Sequence, residues 1–169
     1  MNPVVATLTL LRAMQMTDLP HVMAIEEAAY PFPWRLSIFE ECLRVGYTAR
    51  VLEADKQLMG YGLMSTRAGK AHILNLCVHP TWQHAGYGKH ILEHLLSLAK
   101  EQDVQTVFLD VRLSNEIAIK LYDQMGFNQI GMRKNYYPNG KRGKEPVSYT
   151  HLRAHETPEH LVCRLLLEK

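Results

Sequence analysis

The chain has 169 residues, 47% hydrophobic and 21% charged, with a formal net charge of +2 and a pI of about 8.4, a balance that supports one globular domain and is too mild to argue for nucleic-acid binding. No apolar run approaches the roughly 20 residues that span a bilayer, and the opening MNPVVATLTLLRAMQ lacks the basic region and small-residue cleavage site of a signal peptide, so a cytoplasmic protein is expected. Cys42, Cys77 and Cys163 show no CxxC or Cys/His ligand spacing, which predicts free thiols, no disulfide framework and no metal.

Leu8–Met14 reads as a first strand and Thr17–Tyr30 as a helix, with Thr17 or Asp18 as N-cap, Pro20 in the first turn, and Leu19, Val22, Ile25 and Ala29 on one face. Pro31 and Pro33 then hold "PFPW" extended, so that Phe32 and Trp34 either plug the core or line a substrate loop before a second short helix, Ser37–Gly46. Tyr47–Asp55, Gln57–Arg67 and Ala71–Pro80 predict an antiparallel meander, the last strand alternating His72, Leu74, Leu76 and Val78 against Ile73, Asn75, Cys77 and His79. After it the period changes. Leu92, Leu95, Leu96 and Ala99 make Lys89–Gln102 an amphipathic helix, Thr106–Arg112 is a further strand, and Ser114–Phe127 is a helix capped by Ser114 or Asn115 and stopped by Gly126. Asn128–Tyr137 is another strand, running into a "PNG" turn. The order predicts a mixed α/β sheet in one domain.

"QHAGYGKHI" joins the meander to the helix at Lys89–Gln102. A helix N-terminus presents unpaired amides and the positive end of the macrodipole, glycines at 86 and 88 let the backbone approach a ligand, and Lys89 adds a mobile charge. An anion is the expected ligand, with an ordinary strand-to-helix turn as the alternative. The spacing fits neither GxxxxGK[ST] nor GxGxxG.

The segment Gln83-His84-Ala85-Gly86-Tyr87-Gly88-Lys89, placed after a strand ending "VHP", resembles the Q-x-x-G-x-G/A motif of the GNAT acetyltransferases, whose amides hold the pyrophosphate of acetyl-CoA. "PFPW", "LNLCVHP", "LDVRLSN", "LYDQMGF" and "RKNYYP" together resemble the RimI-type enzymes, which acetylate the N-terminal alanine of a small-subunit ribosomal protein. The resemblance runs from about Leu10 to Pro146. It implies an α/β (α+β) GNAT fold, a mostly antiparallel twisted sheet flanked by helices, and direct transfer from acetyl-CoA without a metal. It also implies a protein N-terminus as partner; no direct nucleic-acid binding and a monomer are expected. Lysine side chains, a small amine, or a non-catalytic CoA-binding role are the alternatives.

On the matching positions, the backbone of Leu76, Cys77 or Val78 pairs with the pantetheine arm and polarises the acetyl carbonyl, while Cys77 itself is a small core residue or, alternatively, a covalent acceptor. Tyr122 occupies the position that donates a proton to the leaving sulfur, and Asn115 either touches the cofactor arm or only caps its helix. The family has a glutamate as base where this chain has Asp110, so a carboxylate reaching about 1.5 Å less far needs a bridging water, or Asp110 is a strand-end carboxylate paired with Arg112 or Arg133. His79 and Glu26 are the substitutes considered for it. Phe32, Trp34, Tyr136 and Tyr137 are the expected acceptor-binding aromatics; Arg133, Lys134, Lys141 and Arg142 read mainly as a solvated hairpin.

From Val147 the pattern departs from the family. "VSYTHLRAHET" resembles a translated transposase-type sequencing adapter, so residues 1–146 are expected to be the acetyltransferase domain and 147–169 a read-through tail. No role is assigned to His151, His155, His160 or Cys163. The native last strand is expected to be missing, leaving an exposed sheet edge.

Overall fold

The computed structural model describes the backbone of residues 8–138 and 144–153 and the side chains of residues 8–131. β1 (Thr9–Ala13), β2 (Thr48–Ala54), β3 (Gln57–Arg67) and β4 (Lys70–Val78) form the expected antiparallel meander. β5 (Thr106–Arg112) runs parallel to β4; β6 (Asn128–Pro138) and β7 (Lys144–Arg153) complete the sheet, with β7 between β5 and β6 and antiparallel to both. α1 (Leu19–Ala29) and α2 (Leu36–Arg44) cover one face. α3 (Tyr87–Glu101) and α4 (Glu116–Gln124) cover the other.

Each face has its own core, because alternate strand residues point to opposite sides. Ile91, Leu92, Leu95 and Ala99 of α3 pack on Leu52, Met64, Ile73 and Leu109, whereas Val22 and Ile25 of α1 and Phe39 of α2 pack on Val51, Tyr61 and Leu63. The close seat of α3 depends on glycine in β3. A Cβ on Gly60 would stand 2.6 Å from the Cys77 carbonyl oxygen and 3.0 Å from Ile91 Cδ1.

The sheet edge expected to be exposed is paired through the backbone, by a strand to which the expected tail itself contributes. Lys144–Arg153 forms β7, one strand running across position 147, with Asp110 opposite Tyr149 and Arg133 opposite Val147. The physical reason is that ladder hydrogen bonds belong to the backbone, and the alternating, β-branched and aromatic "VSYTHL" suits the slot between two strand edges. The side chains of Arg133, Lys134, Tyr136, Tyr137 and His151, and residues Lys141, Arg142, His155, His160 and Cys163 altogether, lie outside the described residues.

The entry to α1 departs from simple capping. Asp18 precedes the helix but makes no side-chain cap bond; its carboxylate turns back to accept from Arg12 Nη1 and Nη2, both at 2.9 Å, and from the Gln15 amide at 2.8 Å. Arg12 also donates to Glu53 at 3.0 Å, joining β1, β2 and α1. The Arg12 hydrogen bond, chiefly, holds the Asp18 carboxyl below its ordinary pKa. A group whose folded pKa is depressed contributes stability above its unfolded pKa and loses it as pH falls through the folded value. The side chains of Asp18 and Arg12 are 11% and 31% exposed, and solvent screening at the arginine end trims the pair. Asp18→Asn is therefore expected to cost about 1–2 kcal/mol at neutral pH. Urea unfolding should show that difference intact above about pH 4 and shrinking below it; a difference that persists undiminished at pH 2 would remove the ion pair as its cause.

Candidate active site

The site begins where the sheet opens. β4 pairs with β5 only at Lys70–Thr106, Ala71–Val107 and His72–Phe108. Immediately afterwards Leu63 pairs with Asn75 and Met64 with Ile73, so Leu74 is the unpaired residue of a β-bulge. A bulge adds twist and bends its strand, and here it falls where the parallel ladder ends. It also corrects the strict alternation expected of this strand: Ile73, Leu76 and Val78 share the α3 core, while Cys77 joins the α1 core.

A cleft of about 520 Å³ lies beyond the opening. Its floor is Leu76, Cys77 and Val78 of β4; one wall is the start of α3, the other the inner face of α4. The turn before α3 is shaped by backbone conformations rare for side-chain-bearing residues, with His84 at φ 65° and Gly86 at φ 87°. Gln83 Nε2 donates to the Val78 carbonyl at 2.9 Å and ties the turn to the end of β4. No side chain caps α3, whose N-cap is Gly86, so the first amides of this 15-residue helix open on the cleft without a side-chain acceptor among the described residues. Such amides and the helix dipole suit a phosphate. Lys89 reaches only a loose contact with Glu93, 3.8 Å between half-exposed side chains, and remains able to swing to an anion.

Of the residues singled out from sequence, Leu76, Cys77, Val78, Gln83, His84, Gly86, Gly88, Lys89, Asn115 and Tyr122 line this one cleft. Ala85 is exposed outside the lining, and the Tyr87 side chain packs on the α3 core instead. Asn115, rather than Ser114, caps α4: its Oδ1 accepts from the Ala118 amide at 3.2 Å while the residue lines the cleft, so capping and cleft contact coexist. Tyr122 is 1% exposed with its ring 5.7 Å from that of Phe127. Burial pushes its phenol pKa up, and the hydroxyl stays protonated at neutral pH.

Other expected residues lie apart from the cleft wall. Asp110 is 0% exposed in β5 and does not line the cleft. His79 caps the 3₁₀ turn Pro80–Trp82, its Nδ1 accepting from the Thr81 amide at 3.1 Å. Glu26 is fully buried and accepts from Tyr61, from Asn75 and from the backbone of Trp34. Trp34 packs on the α1–α2 core with its ring 5.4 Å from Phe39, and Phe32 is half-buried nearby in sequence; neither lines the cleft.

Two cleft residues carried no sequence signal. Tyr30, the C-cap of α1, donates its hydroxyl to the Leu76 carbonyl at 3.1 Å on the cleft floor, and Trp82 lines the turn. Lys120, by contrast, falls on α4 one residue from the predicted stripe and brings a second cation to the rim.

Among known proteins, the profile of the acetyltransferase (GNAT) family matches residues 12–127. The ribosomal protein bS18-alanine N-acetyltransferase of Salmonella typhimurium is 34% identical over 131 residues, covering 78% of this chain and 88% of that protein. Its counterpart of the same name in Haemophilus influenzae is 32% identical over 138 residues, 82% of this chain and 94% of that one. The crystal structure of the ribosomal-protein-S18-alanine N-acetyltransferase from Escherichia coli aligns at a TM-score of 0.83 and 31% identity, covering 91% of this chain and 99% of its own. The fold is also that of yncA from Salmonella typhimurium, solved with acetyl-CoA, at a TM-score of 0.73 and 18% identity.

Proposed function

The chain belongs to the GNAT acetyltransferase family, and from that premise we propose that it acetylates the α-amino group of a protein N-terminus, with an alanine-initiated ribosomal protein as acceptor. The observation that carries this reading is the convergence of an uncapped helix N-terminus, an open β4 edge and a buried tyrosine on one cleft. Acetyl-CoA, when bound, supplies the thioester. The amides of Tyr87, Gly88 and Lys89, with the Lys89 ammonium, would hold its pyrophosphate, and the β4 edge at Leu76–Val78 would pair with the pantetheine arm.

In the transfer the amine nitrogen forms a bond to the acetyl carbon, the carbon–sulfur bond breaks, and one proton leaves the amine while one is delivered to sulfur. A backbone amide among Leu76–Val78 is the proposed donor to the carbonyl oxygen, and Tyr122 the proposed donor to sulfur. An α-amino acceptor favours this site. Its ordinary pKa is about 7.7–8.0, against about 10.4 for lysine, so a substantial neutral fraction exists without a strong base. That suits Asp110, which is buried away from the cleft wall and would take the proton through a bridging water.

Incubation with acetyl-CoA and a peptide opening with Ala, followed by fragmentation mass spectrometry, tests the reading. The acetyl group is expected on the α-nitrogen, with an internal lysine of the same peptide unmodified. Acetylation confined to lysine would move the assignment to a side-chain acetyltransferase; CoA binding without transfer to any amine would make the chain a binding module.

A further inference from the structure

Tyr30 is the last link between α1 and the cleft floor, and Glu26, one helical turn before it, makes a second link. The Glu26 carboxylate lies under the sheet face with no exposed surface. Its Oε2 accepts from the Tyr61 hydroxyl of β3 and from Asn75 Nδ2 of β4 at 3.2 Å, while Oε1 accepts from the Trp34 amide at 2.9 Å. One carboxylate therefore joins α1, two strands and the "PFPW" segment. Asn75 immediately precedes Leu76, the residue whose carbonyl Tyr30 holds.

The chemistry of the donors explains why a carboxylate stands there. At least three hydrogens converge on two oxygens, and a carboxyl group brings two acceptor oxygens to them where an amide brings one. A glutamine would turn its own NH₂ group towards either the Tyr61 and Asn75 donors or the Trp34 amide. The arrangement also leaves Asn75 Oδ1 buried with no hydrogen-bond partner among the described residues. An apolar pair would fill this volume without that unsatisfied atom, so stability alone does not account for the network.

We propose that Glu26 is a positioning residue that fixes the Phe32–Trp34 segment to the end of β4. Resting on the acetyltransferase reading above, this sets the acceptor-side loop in register with the strand that would carry the acetyl group. Glu26 does not exchange a proton with the substrate. It acts through Trp34 and Asn75.

The test compares the parent chain with Glu26→Gln and Tyr61→Phe. In Glu26→Gln, KM for an Ala-initiated peptide should rise about tenfold, the effect of losing one charge-assisted hydrogen bond, while the Kd for acetyl-CoA by calorimetry stays within about twofold. Tyr61→Phe keeps the ring against Phe39 and removes one donor, so a smaller rise in the same constant is expected. Amide hydrogen exchange gives a readout independent of catalysis: the Trp34 amide should exchange at least about tenfold faster in Glu26→Gln, while the α1 and β4 amides keep their protection. An unchanged Trp34 exchange rate, or equal weakening of peptide and acetyl-CoA, overturns the proposal. If Glu26→Gln does not fold, Tyr61→Phe decides by the peptide KM against the acetyl-CoA Kd, equal weakening of the two or no change in KM overturning the proposal. If the parent acetylates no peptide, the function reading fails separately and the exchange measurement still judges the link to Trp34.

Discussion

Tyr122→Phe is expected to lower kcat by about 10²–10³-fold while leaving the KM for acetyl-CoA within about threefold of the parent. The substitution removes one oxygen from a ring that is otherwise packed against Phe127 on the α3 core, so the cleft keeps its shape. What is lost is the donor at the departing sulfur. Burial raises the pKa of the phenol, so the proton is held in the resting site and moves only as negative charge develops on the departing sulfur beside it. The sign of the pH dependence follows. Because the phenol remains protonated through the assay range, no alkaline loss of activity should come from Tyr122. The rate should rise through about pH 8, as the acceptor amine becomes neutral, and then level.

Stopped-flow turnover with a free-thiol reagent measures both arms, and calorimetry separates binding from chemistry. A Phe variant that turns over at the parent rate would take Tyr122 out of the reaction. A variant that no longer binds acetyl-CoA would make it a packing residue. An alkaline limb that vanishes in Tyr122→Phe would mean that the cofactor-bound site titrates the phenol after all.

The same physical terms explain which features were readable in the sequence. Strand alternation, the 3.6-residue stripes of α3 and α4 and the glycine turn are local patterns, and nine of the eleven candidate cofactor residues, together with Tyr122, line the cleft from β4, the turn into α3, and α4. Ala85 and Tyr87 are the exceptions, because residues of such a turn can point away from the cleft without altering the motif. Leu74 was not legible as a bulge: it is apolar on either face, and only the pairing of Leu63 with Asn75 and Met64 with Ile73 reveals it. Glu26 was legible as a carboxylate but not as a buried one, since its partners Tyr61 and Asn75 lie 35 and 49 residues away. The pairing of β7 was not legible for the opposite reason. Family resemblance is carried by side chains, whereas the slot beside β5 is filled by backbone hydrogen bonds that many sequences can make.

Gly88 provides the second large effect, and it separates folding from binding. It lies within the first turn of α3, where its φ needs no glycine, and a Cβ built on it meets only Leu121 Cδ2 and Val78 Cγ2, both at 3.9 Å. Those two side chains line the cleft, so the Cβ vector points into the space a cofactor would occupy. Gly88→Ala should therefore fold with unchanged or slightly raised stability, a helix-interior alanine being favoured by up to about 1 kcal/mol. Its affinity for acetyl-CoA should stay within about threefold, because the motif that the turn resembles, Q-x-x-G-x-G/A, admits alanine at this position. Gly88→Leu extends across the first amides of the helix and covers the phosphate donors; loss of two charge-assisted hydrogen bonds predicts at least a hundredfold weaker Kd, about 2.7 kcal/mol or more, with Tm retained. Gly86→Ala makes the contrast. No atom lies within 4 Å of its added Cβ, yet φ of 87° is costly for alanine, so it should lower Tm as well as affinity. Thermal melts and calorimetry on the three variants decide the matter: a Gly88→Leu chain that still binds acetyl-CoA at the parent Kd would place the phosphates away from α3 and remove the uncapped helix from the argument for this site.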